Sequence, residues 1–374
     1  MNPLREKIEQ EIRKRGPIPL SRYMELCLYD PELGYYSRNA AQFGKAGDFY
    51  TSSDVHAVFG RLLARQFDEM WRVLGSPDRI TLRELGPGRG LFAQDVLDWS
   101  EKKFPDFYGA LRYVLEERSP ALRQRIEVTL SRHLESGKVV LQSTGDLSVP
   151  TIVFANEFFD ALPVEVMSSE GSLRIGLQNG RFAETWAPPS AEELEFLDRY
   201  SIHPEPGGRV EVPLQSQAYM ADAAELERGF VVVIDYGYAR EEQLAGRHRG
   251  TLKAIRQHSV SDNPYEAPGE QDITADVNFT ALAAAAEAQG MQAQKLITQS
   301  QFLLGIGEAN EFADAFEDCR LPQERAKVAL QLKHLVTPAG MGESFHVLIT
   351  SKGVEQEKTS SLAGLSFARN TGVR

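Results

Sequence analysis

Apolar residues recur at helical spacing from the start of the chain, with Leu4, Ile8 and Ile12 on one face. Gly16-Pro17 breaks the run, which resumes over 20–28. A loop rich in glycine, aspartate and aromatic residues, 43–53, comes next. Thr51, Ser52, Ser53 and Asp54 then offer N-caps for a helix that places Val58, Phe59, Leu62, Leu63, Phe67, Met70 and Trp71 on one face. Residues 1–78 thus read as a helical, strand-poor segment carrying one loop.

From about residue 79 the rhythm changes to strand, loop, helix. Short apolar runs at 80–85, 113–117, 139–142, 151–155 and 230–235 alternate at first with helical stretches, the pattern of an α/β fold with a parallel, doubly wound sheet. Two insertions interrupt this core of 79–351. The first, 164–212, contains Gln178-Asn179-Gly180-Arg181 between two alternating runs, a hairpin signal, and an acidic helix near 192–200. The second, 301–335, is helical and leads to a last strand at 344–350. The alanine-rich helix at 281–288 reads as close packing. The tail, 352–374, is polar and expected to be mobile.

The chain has 374 residues and 42% hydrophobic content, enough for one large domain with insertions or two modest ones. A formal charge of −12, from 41 basic and 53 acidic residues, argues against nucleic acid as the main partner. Cys27 and Cys319 stand far apart without a partner motif, and the histidines form no HxH or HxxxH pattern, so neither disulfides nor a metal site is expected. The first residues lack an apolar core segment and no stretch has the roughly 18 apolar residues of a membrane span. The cytoplasm is the expected compartment.

The most informative stretch is Arg83-Glu84-Leu85-Gly86-Pro87-Gly88-Arg89-Gly90, which closes a strand and opens a helix. A dinucleotide fingerprint would be G-x-G-x-x-G; here the spacing is G-x-G-x-G with an acid two residues before it. Glycines let a backbone approach its ligand, and the Glu84 carboxylate suits an ammonium group, so a ligand without phosphates fits better than NAD. The second strand ends in Glu116-Glu117, where such folds place an acid on ribose hydroxyls; which of the two points inward is not readable. Gly145-Asp146-Leu147 follows the third strand and suits an adenine cap or an ordinary turn equally. The fourth strand ends in Asn156-Glu157-Phe158-Phe159-Asp160-Ala161-Leu162-Pro163, where acids and an amide gather at a carboxyl edge. At least one of Phe158 and Phe159 is expected to pack beneath the sheet, and Asp160 has a helix-cap reading besides a chemical one.

These segments resemble the MidA-like proteins, a family that includes the mitochondrial complex I assembly-factor methyltransferase. The likeness runs from Gly16-Pro17 to Val347. It is carried by Tyr29-Asp30-Pro31, Gly34-Tyr35-Tyr36, Gly47-Asp48-Phe49, Phe59-Gly60, the glycine loop, Glu117 with Ser119-Pro120, and the octet 156–163. Asp235-Tyr236-Gly237, Gly250-Thr251-Leu252, His258, Pro268-Gly269, Asp272-Ile273-Thr274, Phe279 and Gly340-Met341-Gly342-Glu343 continue it. The octet with the IDYG and DIT motifs is far more specific than the glycines. The resemblance implies a class I, Rossmann-like methyltransferase core that binds S-adenosylmethionine through Glu84, Gly86, Gly88 and Glu117, with Gly47, Asp48 and Phe49 closing over the cofactor. The residues themselves add Gly90, Asp146 and Asn156 as candidate contacts. Glu157 and Asp160 would orient an arginine of a protein substrate, with a complex I subunit as the acceptor the family suggests. The absence of an Arg- and Ser-rich, acid-poor leader fits a bacterial homologue. Two other readings stay open: a small-molecule O- or N-methyltransferase, and a non-catalytic assembly chaperone that retains the pocket.

Overall fold

The computed structural model describes residues 2–38, 57–142, 146, 148–256, 259–261, 263–308 and 310–370. The longer helices of its first half are α1 (Pro3–Arg15), α2 (Leu20–Tyr29), α3 (Ala57–Val73), α4 (Leu91–Lys103) and α5 (Pro120–Thr129). Six strands form the body of the central sheet: β1 (Ile80–Leu85), β2 (Leu111–Glu116), β3 (Val139–Leu141), β4 (Thr151–Asn156), β5 (Gly229–Tyr238) and β6 (Phe345–Lys352), in the order β3-β2-β1-β4-β5-β6. β4 and β5 are almost continuously buried, as expected for strands covered on both faces.

The order reverses between β1 and β4, which leaves a crevice at their carboxyl ends. Register aligns those ends: Leu85 pairs with Glu116 on one side and Ala155 on the other, while Asn156 pairs with Ile234. The loops after β1, β2 and β4 therefore open onto one place. The sheet is not wholly parallel as the alternation suggested, because β6 runs antiparallel to β5, from Tyr236–Phe345 to Gly229–Lys352. Its direction is set by the turn before it. A Cβ on Gly340 would lie 2.0 Å from the His334 carbonyl oxygen, and one on Gly342 2.5 Å from the Val336 carbonyl carbon, so the chain doubles back tightly after the 322–336 helix and enters β6 from the carboxyl edge.

The seven apolar positions of α3 named from the sequence are all buried, and α3 packs on α4 where Gly60 lets the Asp95 side chain approach. α1 and α2 go elsewhere. Leu4, Ile8, Leu20, Tyr23 and Met24 form a separate core with Val166, Leu173 and Ile175 of the first insertion. Residues 1–78 are thus not one unit: the first two helices join the 164–212 insertion, drawn there by Ile18 and Pro19, which pair with Ile175 and Arg174. The expected hairpin is present, with Asn179 and Gly180 at φ 51° and 71°, both left-handed as a tight two-residue turn requires.

The expectation of a mobile tail after Lys352 fails for residues 353–370. Leu362 and Leu365 are buried in the main core, and the amides of Ala363 and Gly364 donate to the Glu69 and Gln66 side chains of α3. Two leucines spaced for one face outweigh the polar composition around them. Among the described residues, no helix is long and apolar enough to cross a membrane.

Candidate active site

A cavity of about 940 Å3 fills the crevice between β1 and β4 and is walled on its far side by α2 and the residues after it. That volume stands at the upper end of small-molecule sites, with room for a nucleoside-sized ligand and an acceptor group.

The glycine loop forms its floor. Gly86, at φ 64°, donates its amide to the Glu116 carbonyl at 3.0 Å, and a Cβ there would strike Phe158 at 2.8 Å. Gly88, at φ 56°, has only open space where a Cβ would point, so it leaves a cradle that a side chain would fill. Gly90 differs. It begins α4 at φ 76°, does not line the cavity, and would set a Cβ 3.2 Å from Leu130 and 3.4 Å from Ile126. Its surroundings are those of close packing of α4 on the end of α5 and on Leu130 just beyond it, as for the third glycine of nucleotide-binding loops.

Two buried carboxylates flank the loop. Glu84 accepts the Tyr113 hydroxyl at 2.8 Å; burial pushes its carboxyl up to about 8, and the charge of Glu117 pushes the same way. Glu117 accepts the Ser119 amide at 2.8 Å, and burial raises it to about 7 against the pull of the Ser119, Arg118 and Gly88 amides. Ser119 also caps α5, which fixes where Glu117 sits. The two glutamates differ in their partners: Arg83 holds Glu116 in an ion pair and reaches on to Asp222 at 2.8 Å. Both glutamates line the cavity, and Glu117 is the buried one of the two.

The β4 turn supplies the opposite wall. Asn156 lines the cavity with its Nδ2 on Glu157 Oε1 at 3.2 Å, while its Oδ1 is buried without a partner. Glu157 adopts φ 50°, a left-handed conformation uncommon outside glycine and frequent at functional turns. Asp160 is 3% exposed and lines the cavity; its Oδ2 accepts the Tyr236 hydroxyl and its Oδ1 has no partner. Burial raises its carboxyl to about 6, opposed by the Tyr236 hydrogen bond. Phe159 is the phenylalanine that packs beneath the sheet, whereas Phe158 lies over Gly86 and meets Tyr219 edge-on.

Gly47, Asp48 and Phe49 lie outside the described residues, as do Gly145, Leu147, His258 and the N-cap candidates Thr51–Asp54. Asp146 is described and does not line the cavity: it is exposed, and its Oδ1 accepts the Ser148 amide and hydroxyl at 3.1 and 2.6 Å. The ordinary-turn reading of that residue is the one the geometry follows. Gln142 takes the place in the wall, at φ 50° with Nε2 on the Glu117 carbonyl at 3.2 Å. Residue patterns also missed the lobe side of the cavity, where Tyr29 donates to the Ala161 carbonyl and Tyr36 to Asp272, each at 2.8 Å. The motifs containing them were visible; their meeting across 132 and 236 positions of chain was not.

The donor set fits S-adenosylmethionine: a carboxylate for an ammonium group at Glu84, another for ribose at Glu117, and a side-chain-free cradle at Gly88 between them. Fold and site together define a class I S-adenosylmethionine-dependent methyltransferase. The sequence model of a family of S-adenosyl-L-methionine-dependent methyltransferases matches residues 62–297. The chain is 30% identical to the Drosophila melanogaster protein arginine methyltransferase NDUFAF7 homolog, covering 94% of this chain and 85% of the relative. It is 27% identical to human protein arginine methyltransferase NDUFAF7, covering 92% and 82%. A Burkholderia thailandensis protein crystallised with S-adenosyl-homocysteine superposes with a TM-score of 0.83 at 27% identity, over 97% of this chain and 94% of that one. The chain belongs to the MidA-like family of S-adenosylmethionine-dependent methyltransferases.

Proposed function

We propose that the protein transfers a methyl group to a nitrogen of an arginine side chain on a protein acceptor. The observation that carries this reading is the β4 turn, where Asp160 Oδ1 and Asn156 Oδ1 are buried acceptors without partners beside the cavity and Glu157 stands between them. Guanidinium presents five donors in a plane and keeps its charge, so it satisfies such a set as few other groups do. The names of the relatives support the same substrate class.

When bound, S-adenosylmethionine supplies an electrophilic methyl on its sulfonium. The chain's own residues bind, orient and manage a proton. Glu84 would hold the ammonium end of the cofactor and Glu117 its ribose, and the β4 turn would set the plane of the guanidinium. The new N–C bond forms as the S–C bond breaks. Two positive charges enter and one methylated guanidinium leaves with neutral S-adenosylhomocysteine, so one proton must depart; we assign its acceptance to Asp160, which lines the cavity.

Incubation with methyl-labelled cofactor and lysate from cells lacking the gene tests this. Label in methylarginine of a protein is the expected result, and the family resemblance makes a complex I subunit the first acceptor to examine. Label in an extractable metabolite would establish a small-molecule acceptor instead, and cofactor binding without any turnover would establish a non-catalytic role.

A further inference from the structure

Two residues of β5 reach across to the β4 turn. Asp235 is completely buried, and its Oδ2 accepts three successive backbone amides, Phe158 at 3.2 Å, Phe159 at 3.0 Å and Asp160 at 3.3 Å. Its Oδ1 accepts the Tyr236 amide at 2.9 Å. Successive amides converging on one oxygen are an anion nest, filled here by the protein's own carboxylate. Tyr236 then donates its hydroxyl to Asp160 Oδ2. Glu157 enters the same turn in its left-handed conformation, with its amide on the Ile234 carbonyl at 3.0 Å.

This arrangement works against itself electrostatically. Burial raises Asp235 well above the carboxylate range, and the charges of Asp160 and Glu157 raise it further. A simple link between β4 and β5 needs no such cluster, and carboxylates crowded at the edge of a cavity are a mark of functional sites.

We infer that Asp235 and Tyr236 are positioning residues for methyl transfer: Asp235 fixes the backbone of the Glu157–Asp160 turn, and Tyr236 holds one oxygen of Asp160 so that the other meets the acceptor. The inference rests on the assignment of that turn to the acceptor. Asparagine cannot replace Asp235, because it has one acceptor oxygen for two sets of amides and its Nδ2 must face an N–H whichever way it turns. Tyr236→Phe keeps the ring and removes only the hydroxyl.

Asp235→Asn and Tyr236→Phe are compared with the full-length protein by three measurements. The first is transfer to an arginine-containing peptide, where each variant is expected to lower kcat at least about tenfold, 1.36 kcal/mol of barrier, with calorimetric affinity for S-adenosylhomocysteine within about threefold. The second is the pH profile of transfer. Asp160 interacts with Asp235 and Tyr236 on β5, with Asp276, and with Tyr29 and Tyr36, and its pKa is lowered first by the Tyr236 hydroxyl and then by the Ala161 amide and its own. Loss of the hydroxyl in Tyr236→Phe raises that pKa and should move the acid limb of the profile to higher pH by at least about half a unit. The third is hydrogen exchange at amides 158–160, expected to accelerate at least about tenfold in Asp235→Asn. Unchanged kcat in both variants, or equal losses of kcat and S-adenosylhomocysteine affinity, would overturn the positioning role. If the unaltered protein methylates no arginine peptide, the arginine reading fails by itself; unaltered exchange at 158–160 then also overturns the role of Asp235, and accelerated exchange with retained S-adenosylhomocysteine affinity supports Asp235 as the anchor of the turn alone.

Discussion

Removing the Glu117 carboxylate in Glu117→Ala deletes charge-assisted hydrogen bonds worth about 1.5–3 kcal/mol each, so affinity for S-adenosylhomocysteine is expected to fall more than tenfold. Glu116→Ala only breaks the partly exposed pair with Arg83 and should change affinity little. Calorimetric titration ranks the two, and the reverse order would move the ribose contact to Glu116. Protonation gives a second expectation. In the ligand-free protein Glu84 and Glu117 titrate at about 8 and about 7, above the ordinary carboxylate values they regain on unfolding. The folded state therefore binds more protons than the unfolded one, and the stability these groups contribute is lost as pH rises through about 7 and about 8. Ammonium and ribose hydroxyls favour the ionised carboxylates and reverse that trend. Affinity should thus climb between about pH 6 and 9, with proton release seen as a buffer-dependent binding enthalpy, while the ligand-free Tm declines. An affinity flat over that range would remove both acids from cofactor contact.

At the level of elements, the second and third glycines of the loop after β1 separate binding from folding. Gly88→Ala places a methyl in the cradle and meets left-handed strain of about 1–2 kcal/mol; it should weaken cofactor binding more than tenfold in a folded protein. Gly90→Ala carries the same strain and pushes on Leu130 and Ile126 besides, so its main effect should be a lower Tm. Thermal melts and titrations on both variants test the division, and equal loss of affinity in the two would return Gly90 to the binding site. Strong local signals made much of the scaffold legible: continuous apolar runs for β4 and β5, one apolar face for α3, and Asn179-Gly180 for the hairpin. Legibility ended where long-range pairing decides. The direction of β6, the capture of Ile18 and Pro19 by Ile175 and Arg174, and the seating of Leu362 and Leu365 all depend on partners far along the chain. The same limit hid Asp235: its motif was visible, but a carboxylate serving amides on another strand leaves no mark in spacing.

For the whole molecule, the cavity draws on three cores: Phe92 from the one of α3, α4 and the central sheet, Leu26 and Tyr35 from the one of α1, α2 and the first insertion, and Leu85 and Leu162 from a third. The C-terminal segment secures the first of these. Ending the chain after Lys352 would strip Leu362 and Leu365 from it, at about 1.5–3 kcal/mol each, and leave Gln66 and Glu69 without the amides of Gly364 and Ala363. The truncated protein is expected to melt several degrees lower; an unchanged Tm would show that the segment contributes nothing to the core. The antiparallel strand β6 has another implication, for the order of events during synthesis. Every strand that carries a site residue is translated before it, so a chain still attached at its C-terminus already owns the loops that grip the cofactor. Until β6 arrives, β5 presents an open edge from Gly229 to Tyr236, a template for stray pairing with other nascent chains. Cofactor captured at that stage would brace the parallel strands against one another, making the methyl donor a companion of the protein's birth as well as of its chemistry.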